Sequence, residues 1–145
     1  LKIHLVRPQE HDLRFALGDL EALVLRNLWE TDQALSVREL QDILSRTRSL
    51  AVTTVATILD RLHQKGIVSR KLVKEGGPHY LYSARVTEEQ FKHEVVDNVM
   101  GGLLRSFNDI TMAYLAEIMS DHGNKNKNLR KLPKYLNRLR QKGNK

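Results

Sequence analysis

Residues 53–66 constrain the fold of this chain more than any other stretch. Val55, Ile58, Leu59 and Leu62 recur at i, i+3, i+4 and i+7, the spacing of one buried face of an α-helix. Gly66 closes that helix, because glycine takes the left-handed conformation of a C-terminal cap at no steric cost. A helix so striped must lie against other elements. Its outer side carries Thr53, Thr54 and Thr57 near the start and Arg61 one turn further on. Threonine offers a hydroxyl to a base edge and a methyl to thymine, and it lets a helix backbone come close. Taken alone, the patch reads equally well as an ordinary solvated face.

Charge separates the two readings. The net charge of +7 is unevenly spread. Residues 1–86 carry 13 Lys+Arg against 10 Asp+Glu, residues 87–123 carry 2 against 7, and residues 124–145 carry 9 against none. Around the striped helix, Arg46, Arg48, Arg61, Lys65, Arg70, Lys71 and Lys74 face Asp60 as the one acid between residues 46 and 74. A concentrated basic field beside a candidate recognition helix is the electrostatic footprint of nucleic-acid binding.

The neighbouring elements fit that reading. Residues 1–16 are mixed in character, with Pro8, and read as an N-terminal arm. From Leu17 a helix is expected, with Leu20, Leu23, Val24, Leu25, Leu28 and Trp29 forming a broad apolar face. Thr31 to Gln33 reads as a turn, and Ala34-Leu35 as a short strand. Ser36-Val37-Arg38-Glu39 is a capping box opening a second helix, with Val37, Leu40, Ile43 and Leu44 inward. Three short helices joined this tightly form a helix-turn-helix arrangement. After Gly66 the pattern becomes extended: residues 67–73 alternate, Lys74 to Pro78 turns, and His79 to Ser83 returns. A hairpin directly behind a recognition helix is a wing, its basic tip suited to a phosphate backbone, although Gly76-Gly77 alone would suit any hairpin.

Thr87-Glu88-Glu89-Gln90 is a second capping box and marks a new region. Phe91, Val95, Val96, Val99, Met100, Leu103, Leu104 and Phe107 keep helical periodicity, Asn108-Asp109 breaks it, and residues 110–119 form a further apolar helix. Two helices this apolar outside a small domain need a partner surface, and a second copy of the chain is the economical one, ahead of packing back on the same chain. The expected dimer contacts are Phe91, Val95, Val99, Leu103, Phe107, Tyr114, Leu115 and Ile118. Residues 123–145 form a basic tail in which Leu132, Tyr135, Leu136 and Leu139 keep helical spacing. It reads as a third dimer helix, an extra DNA contact or a partly ordered tail.

Four motifs occur in order: Leu17-Gly18-Asp19-Leu20-Glu21 with Leu28-Trp29, then Ser36 to Leu40, then Thr53 to Leu62, then Lys65-Gly66. Together with the tyrosine pair Tyr80 and Tyr82, this pattern resembles the penicillinase-repressor family, which includes methicillin-resistance and copper-responsive repressors of bacteria. The resemblance covers residues 17–83, weakens through 87–120 and is not traceable in the tail. It implies a mainly α protein with a small β-hairpin: a winged helix-turn-helix domain over 17–86, then a helical dimerisation region over 87–122. It also implies a homodimeric repressor on an inverted-repeat operator. Thr53, Thr54 and Thr57 would then enter the major groove. Arg61 and the wing would contact phosphates, with Arg46, Arg48, Lys65, Arg70, Lys71, Lys74 and Tyr82 completing the candidate DNA-binding set. The beta-lactam-responsive members are cleaved at an Asn-Phe bond, and residues 106–117 hold no such pair. The copper-responsive members use a cysteine-rich motif, and this chain has no cysteine. Neither signal carries over.

Other functions find little footing. Without cysteine, disulfides, thiolate metal sites and cysteine catalysis are excluded. The six histidines lack metal-ligand spacing, and no phosphate loop or nucleophile elbow is present. The chain is therefore expected to be a non-enzyme without a cofactor, and cytoplasmic, since no apolar run approaches a membrane span. The alternative is a winged-helix module for protein contact or for non-specific nucleic-acid binding.

Overall fold

The computed structural model describes residues 6–122 together with Pro133, Lys134, Asn137, Arg138 and Gln141. Its elements in chain order are α1 (Asp19–Glu30), α2 (Val37–Leu44), α3 (Val52–Gln64), β1 (Val68–Val73), β2 (His79–Ala84), α4 (Glu88–Ser106) and α5 (Asn108–His122). The chain forms two compact units, Leu1–His93 and Glu94–Lys145. The first therefore takes in the opening turn of α4.

In the first unit, α1, α2 and α3 pack on one another around Val24, Leu25, Leu40, Val55, Leu59 and Leu62, all with essentially no exposed surface. Leu20 and Ile43, expected inward, are only half-buried, whereas Leu44 and Leu17 are fully so. Burying one such leucine stabilises the domain by about 1.5–3 kcal/mol, and the close set of faces fixes how α3 is presented. The Ser36 capping box forms as expected: the Glu39 amide donates to Ser36 Oγ at 3.2 Å, and Glu39 Oε2 accepts from the Ser36 amide at 2.8 Å.

Gly66 lies at φ 78°. Its amide donates to the His63 carbonyl and that of Ile67 to the Leu62 carbonyl, each at 3.0 Å, which closes α3 in a Schellman motif. Ile67 is thereby turned into the core, 1% exposed. Any side chain at Gly66 meets the left-handed penalty, so Gly66→Ala should cost about 1–2 kcal/mol. Urea unfolding checks this, and an unchanged midpoint would show that the helix closes by another route.

Strands β1 and β2 pair antiparallel, Val68 opposite Ala84 through Val73 opposite His79. Gly76 and Gly77, at φ 72° and 93°, make the turn. The short strand expected at Ala34-Leu35 is present as a single bridge: Leu35 and Tyr82 exchange both backbone hydrogen bonds, at 2.8 and 2.9 Å. This bridge roots the wing beside α2.

Residues 6–16 differ from the expected arm. The Arg7 guanidinium donates to the Leu17 carbonyl, Asp12–Phe15 form a 3-10 turn, and Leu13 is buried to 3%. Arg26 of α1 pairs with Asp12. One anchoring leucine among polar neighbours has no periodicity, so nothing in the sequence marked it.

The start of α4 also departs from expectation. Its capping box forms, with the Gln90 amide on Thr87 Oγ1 at 3.1 Å. Phe91, however, is 1% exposed and lies against Trp29, ring centroids 5.9 Å apart, while Trp29 Nε1 donates to the Val86 carbonyl at 2.9 Å. Phe91 therefore belongs to the core of the first unit, not to a surface between copies. Val95, 8% exposed, is likewise already covered within the chain.

In the second unit, Leu104 is buried beneath Met100, Met112 and Leu115. Leu115, expected at the dimer surface, spends much of its side chain on that contact. The break between helices falls at Phe107, one residue before the expected position. Leu103, Phe107, Ile110, Tyr114 and Ile118 remain exposed, Tyr114 to 65%. The tail positions Leu132, Tyr135, Leu136 and Leu139 lie outside the described residues.

Candidate nucleic-acid interface

Helix α3 shows solvent a surface that runs from its first turn to its last. Thr53, Thr57 and Arg61 are exposed and Thr54 is half-buried. Ala51 precedes the helix without a side-chain cap, so the first amides of α3 face outward with no side chain closing them. Aligned peptide dipoles make such an end partially positive, which adds to the surrounding basic field. The Thr57 hydroxyl donates to the Thr53 carbonyl at 2.8 Å. Its proton is thereby committed, and the oxygen keeps acceptor lone pairs beside an outward methyl.

The turn into α3 carries Arg46 and Arg48, both exposed. It is held by backbone bonds from Thr47 and Arg48 to the Leu44 carbonyl, at 2.9 and 2.8 Å, and by Gln41 Nε2 on the Leu50 carbonyl at 3.0 Å. Across the domain surface, Lys71 and Lys74 of the wing are exposed as well. None of Arg46, Arg48, Arg61, Lys71 and Lys74 has an acidic partner among the described residues. Arg46 and Arg48 before α3, Arg61 in its last turn and Lys71 and Lys74 on the wing, uncompensated among the described residues, make a surface suited to a polyanion.

Three members of the expected set stand elsewhere. Lys65 Nζ is 2.6 Å from Glu21 Oε2, in a partly buried pair that ties the end of α3 to α1. Tyr82 is only 5% exposed, because its backbone carries the Leu35 bridge and its ring turns inward at the root of the wing. Arg70 is half-buried, 3.2 Å from Asp60 Oδ1, with its guanidinium 4.4 Å from the centre of the Tyr80 ring. Burial works against the Arg70 charge, but the hydrogen bond it donates to Tyr82 and the nearby Tyr80, Tyr82 and Asp60 outweigh it and raise its pKa. These residues shape the interface more than they extend it.

Two features here lie outside what the sequence leads one to expect. Asp60 lies on the outer side of α3 and is held by Arg70 and by Gln64 Nε2, the latter at 3.0 Å from Oδ2. Its i, i+4 spacing to Gln64 was the one signal for this arrangement. Arg38 was assigned only to a capping box. It also lines an open groove of about 500 Å³ between the start of α2, Val52 and Ala56 of α3, and Gly76 to Tyr80 of the wing. Among the described residues no group of three His, Cys, Asp or Glu side chains could hold a metal, and no helix is long and apolar enough to cross a membrane.

A helix-turn-helix with a rooted wing and a hydroxyl-rich third helix can be compared with known proteins. The family model described as penicillinase repressor matches residues 17–142. This chain belongs to the penicillinase repressor family. The match runs well past residue 120 and includes most of the basic tail, further than the motifs alone could be followed. Over 52 residues the chain is 46% identical to the transcriptional regulator BlaI of Mycobacterium tuberculosis, in both strain CDC 1551 / Oshkosh and strain ATCC 25618 / H37Rv. That stretch is 36% of this chain and 38% of each regulator, so the alignment spans well under half the length of these relatives. The family is one of repressors rather than a class of enzymes.

Proposed function

We propose that this penicillinase repressor family member is a transcriptional repressor that binds double-stranded DNA as a homodimer on an inverted-repeat operator. The observation that carries this reading is the α3 surface: Thr53 and Thr57 exposed on the first half of a helix without a side-chain cap, with Arg46 and Arg48 before it, Arg61 in its last turn and Lys71 and Lys74 on the wing, none of the five with an acidic partner among the described residues. In this reading α3 lies in the major groove, where Thr53, Thr54 and Thr57 meet base edges. The cations meet phosphates, which position the protein without reading sequence. The exposed apolar side chains of α4 and α5 supply the two-fold contact, and the BlaI relatives, named as transcriptional regulators, agree with the role. Lys65, Tyr82, Phe91, Val95 and Leu115 are left out of these contact sets, because each is already engaged within the chain.

Selection from random duplexes should enrich one palindrome. On it, Thr57→Ala should cost about 1–3 kcal/mol while binding to random DNA stays nearly unchanged. Thr57→Val keeps the methyl and loses the acceptor oxygen, so comparing the two separates a thymine contact from a hydrogen bond. Equal losses on operator and random DNA would remove Thr57 from the base-reading set. Enrichment of no duplex would favour a protein-contact module.

A further inference from the structure

We propose that Asp60 is a base-reading residue, and that with Thr57 it recognises exocyclic amino groups, adenine N6 or cytosine N4, in the major groove. This rests on the DNA-binding reading above and names what that surface reads. A carboxylate on the outer side of a DNA-facing helix repels every phosphate it approaches, so its place there calls for compensation or for use. Asp60 has both. Arg70 holds Oδ1 at 3.2 Å and Gln64 holds Oδ2 at 3.0 Å, while Arg70 itself is kept in place over the Tyr80 ring at 4.4 Å. The local charge is neutralised and the carboxylate is aimed. Its side chain stays 48% exposed, and an ionised carboxylate has about four lone-pair sites, of which these bonds use two.

Thr57, one turn nearer the start of α3, is restricted in the same sense. Its hydroxyl proton is spent on the Thr53 carbonyl at 2.8 Å, which leaves an acceptor and a methyl. Two adjacent positions on the outer surface therefore offer only acceptors. Phosphate oxygens, guanine O6 and N7, adenine N7 and thymine O4 are acceptors too and find no partner there. The donors of the major groove are adenine N6 and cytosine N4. Arg70 is a positioning residue in this arrangement, acting through Asp60.

The test uses the palindrome selected by the full chain, with single bases replaced by analogues. Purine in place of adenine, and 2-pyrimidinone in place of cytosine, delete the amino group, and 7-deazaadenine deletes only N7. At one half-site position, amino deletion should weaken the wild type about tenfold, with 7-deazaadenine nearly silent there. Asp60→Ala should lose that sensitivity and bind random duplexes at least as tightly as the wild type, since a repelling charge is gone and Arg70 is released. Asp60→Asn removes the charge but keeps one acceptor oxygen that Arg70 can still hold, and should retain the sensitivity. Equal effects of amino deletion on wild type and Asp60→Ala at every position would overturn the inference and leave Asp60 a brace for the wing. So would Asp60→Asn behaving as Asp60→Ala does. A wild type that selects a palindrome while failing these tests keeps the repressor reading, whereas one that selects no palindrome loses both.

Discussion

Tyr114→Asp should turn the proposed dimer into a monomer that keeps its helical content. Tyr114 is 65% exposed in the single chain, in the middle of α5, so a charge there costs the folded protomer little. In a two-fold interface built from Leu103, Phe107, Ile110, Tyr114 and Ile118, the same carboxylate is buried without a partner, a penalty of several kcal/mol. Losing the partner also removes the second recognition helix. Each half-site then binds alone, and operator affinity should fall by about 10²- to 10⁴-fold. Leu103→Asp should act in the same direction. Sedimentation of each variant, with circular dichroism to confirm folding, checks the result. A dimer that persists in both would move the interface elsewhere on the chain. Phe91 is the informative contrast: it lies against Trp29 inside the first unit, so Phe91→Ala should lower stability without dissociating the dimer.

The second large effect concerns charge. Removing Arg61, Lys71 and Lys74 together should weaken binding to every duplex, by about 10²-fold near physiological salt, and flatten the dependence of log K on log salt by about 2.7, since each phosphate contact contributes about 0.9. The three are exposed and have no acidic partner among the described residues, so no described carboxylate competes for them. Lys65→Ala should behave otherwise. It breaks the partly buried pair with Glu21 and leaves that carboxylate uncompensated, so unfolding should come at lower urea while the salt slope barely moves. A slope that drops as much for Lys65→Ala as for Lys71→Ala would restore Lys65 to the phosphate contacts. Titration at several salt concentrations, with urea unfolding alongside, separates the two classes of lysine.

Much of this protein is legible in its sequence. The stripe of Val55, Ile58, Leu59 and Leu62, the Gly66 stop, both capping boxes and the alternation of the wing are local signals. Each follows from the geometry of one helix or hairpin, and periodicity and cap chemistry need only near neighbours in the chain. The small strand at Leu35 and the exposed threonines of α3 followed the same logic, as did the family resemblance.

What only the tertiary structure decided is how side chains far apart in sequence share their capacity. Two apolar helices announce that they need a partner, but periodicity does not say whether that partner is Trp29 of the same chain, as for Phe91, or another surface. A cluster of basic residues likewise announces a field, and local sequence cannot tell which members are already spent. Lys65 meets Glu21 across 44 positions, and Arg70 meets Asp60 and Tyr80 because the wing folds back beside α3. A cation's charge is set by its own chemistry, whereas its availability depends on which acid the fold brings within about 4 Å. Composition therefore determined the sign of the interface, and packing decided which residues are left to make it.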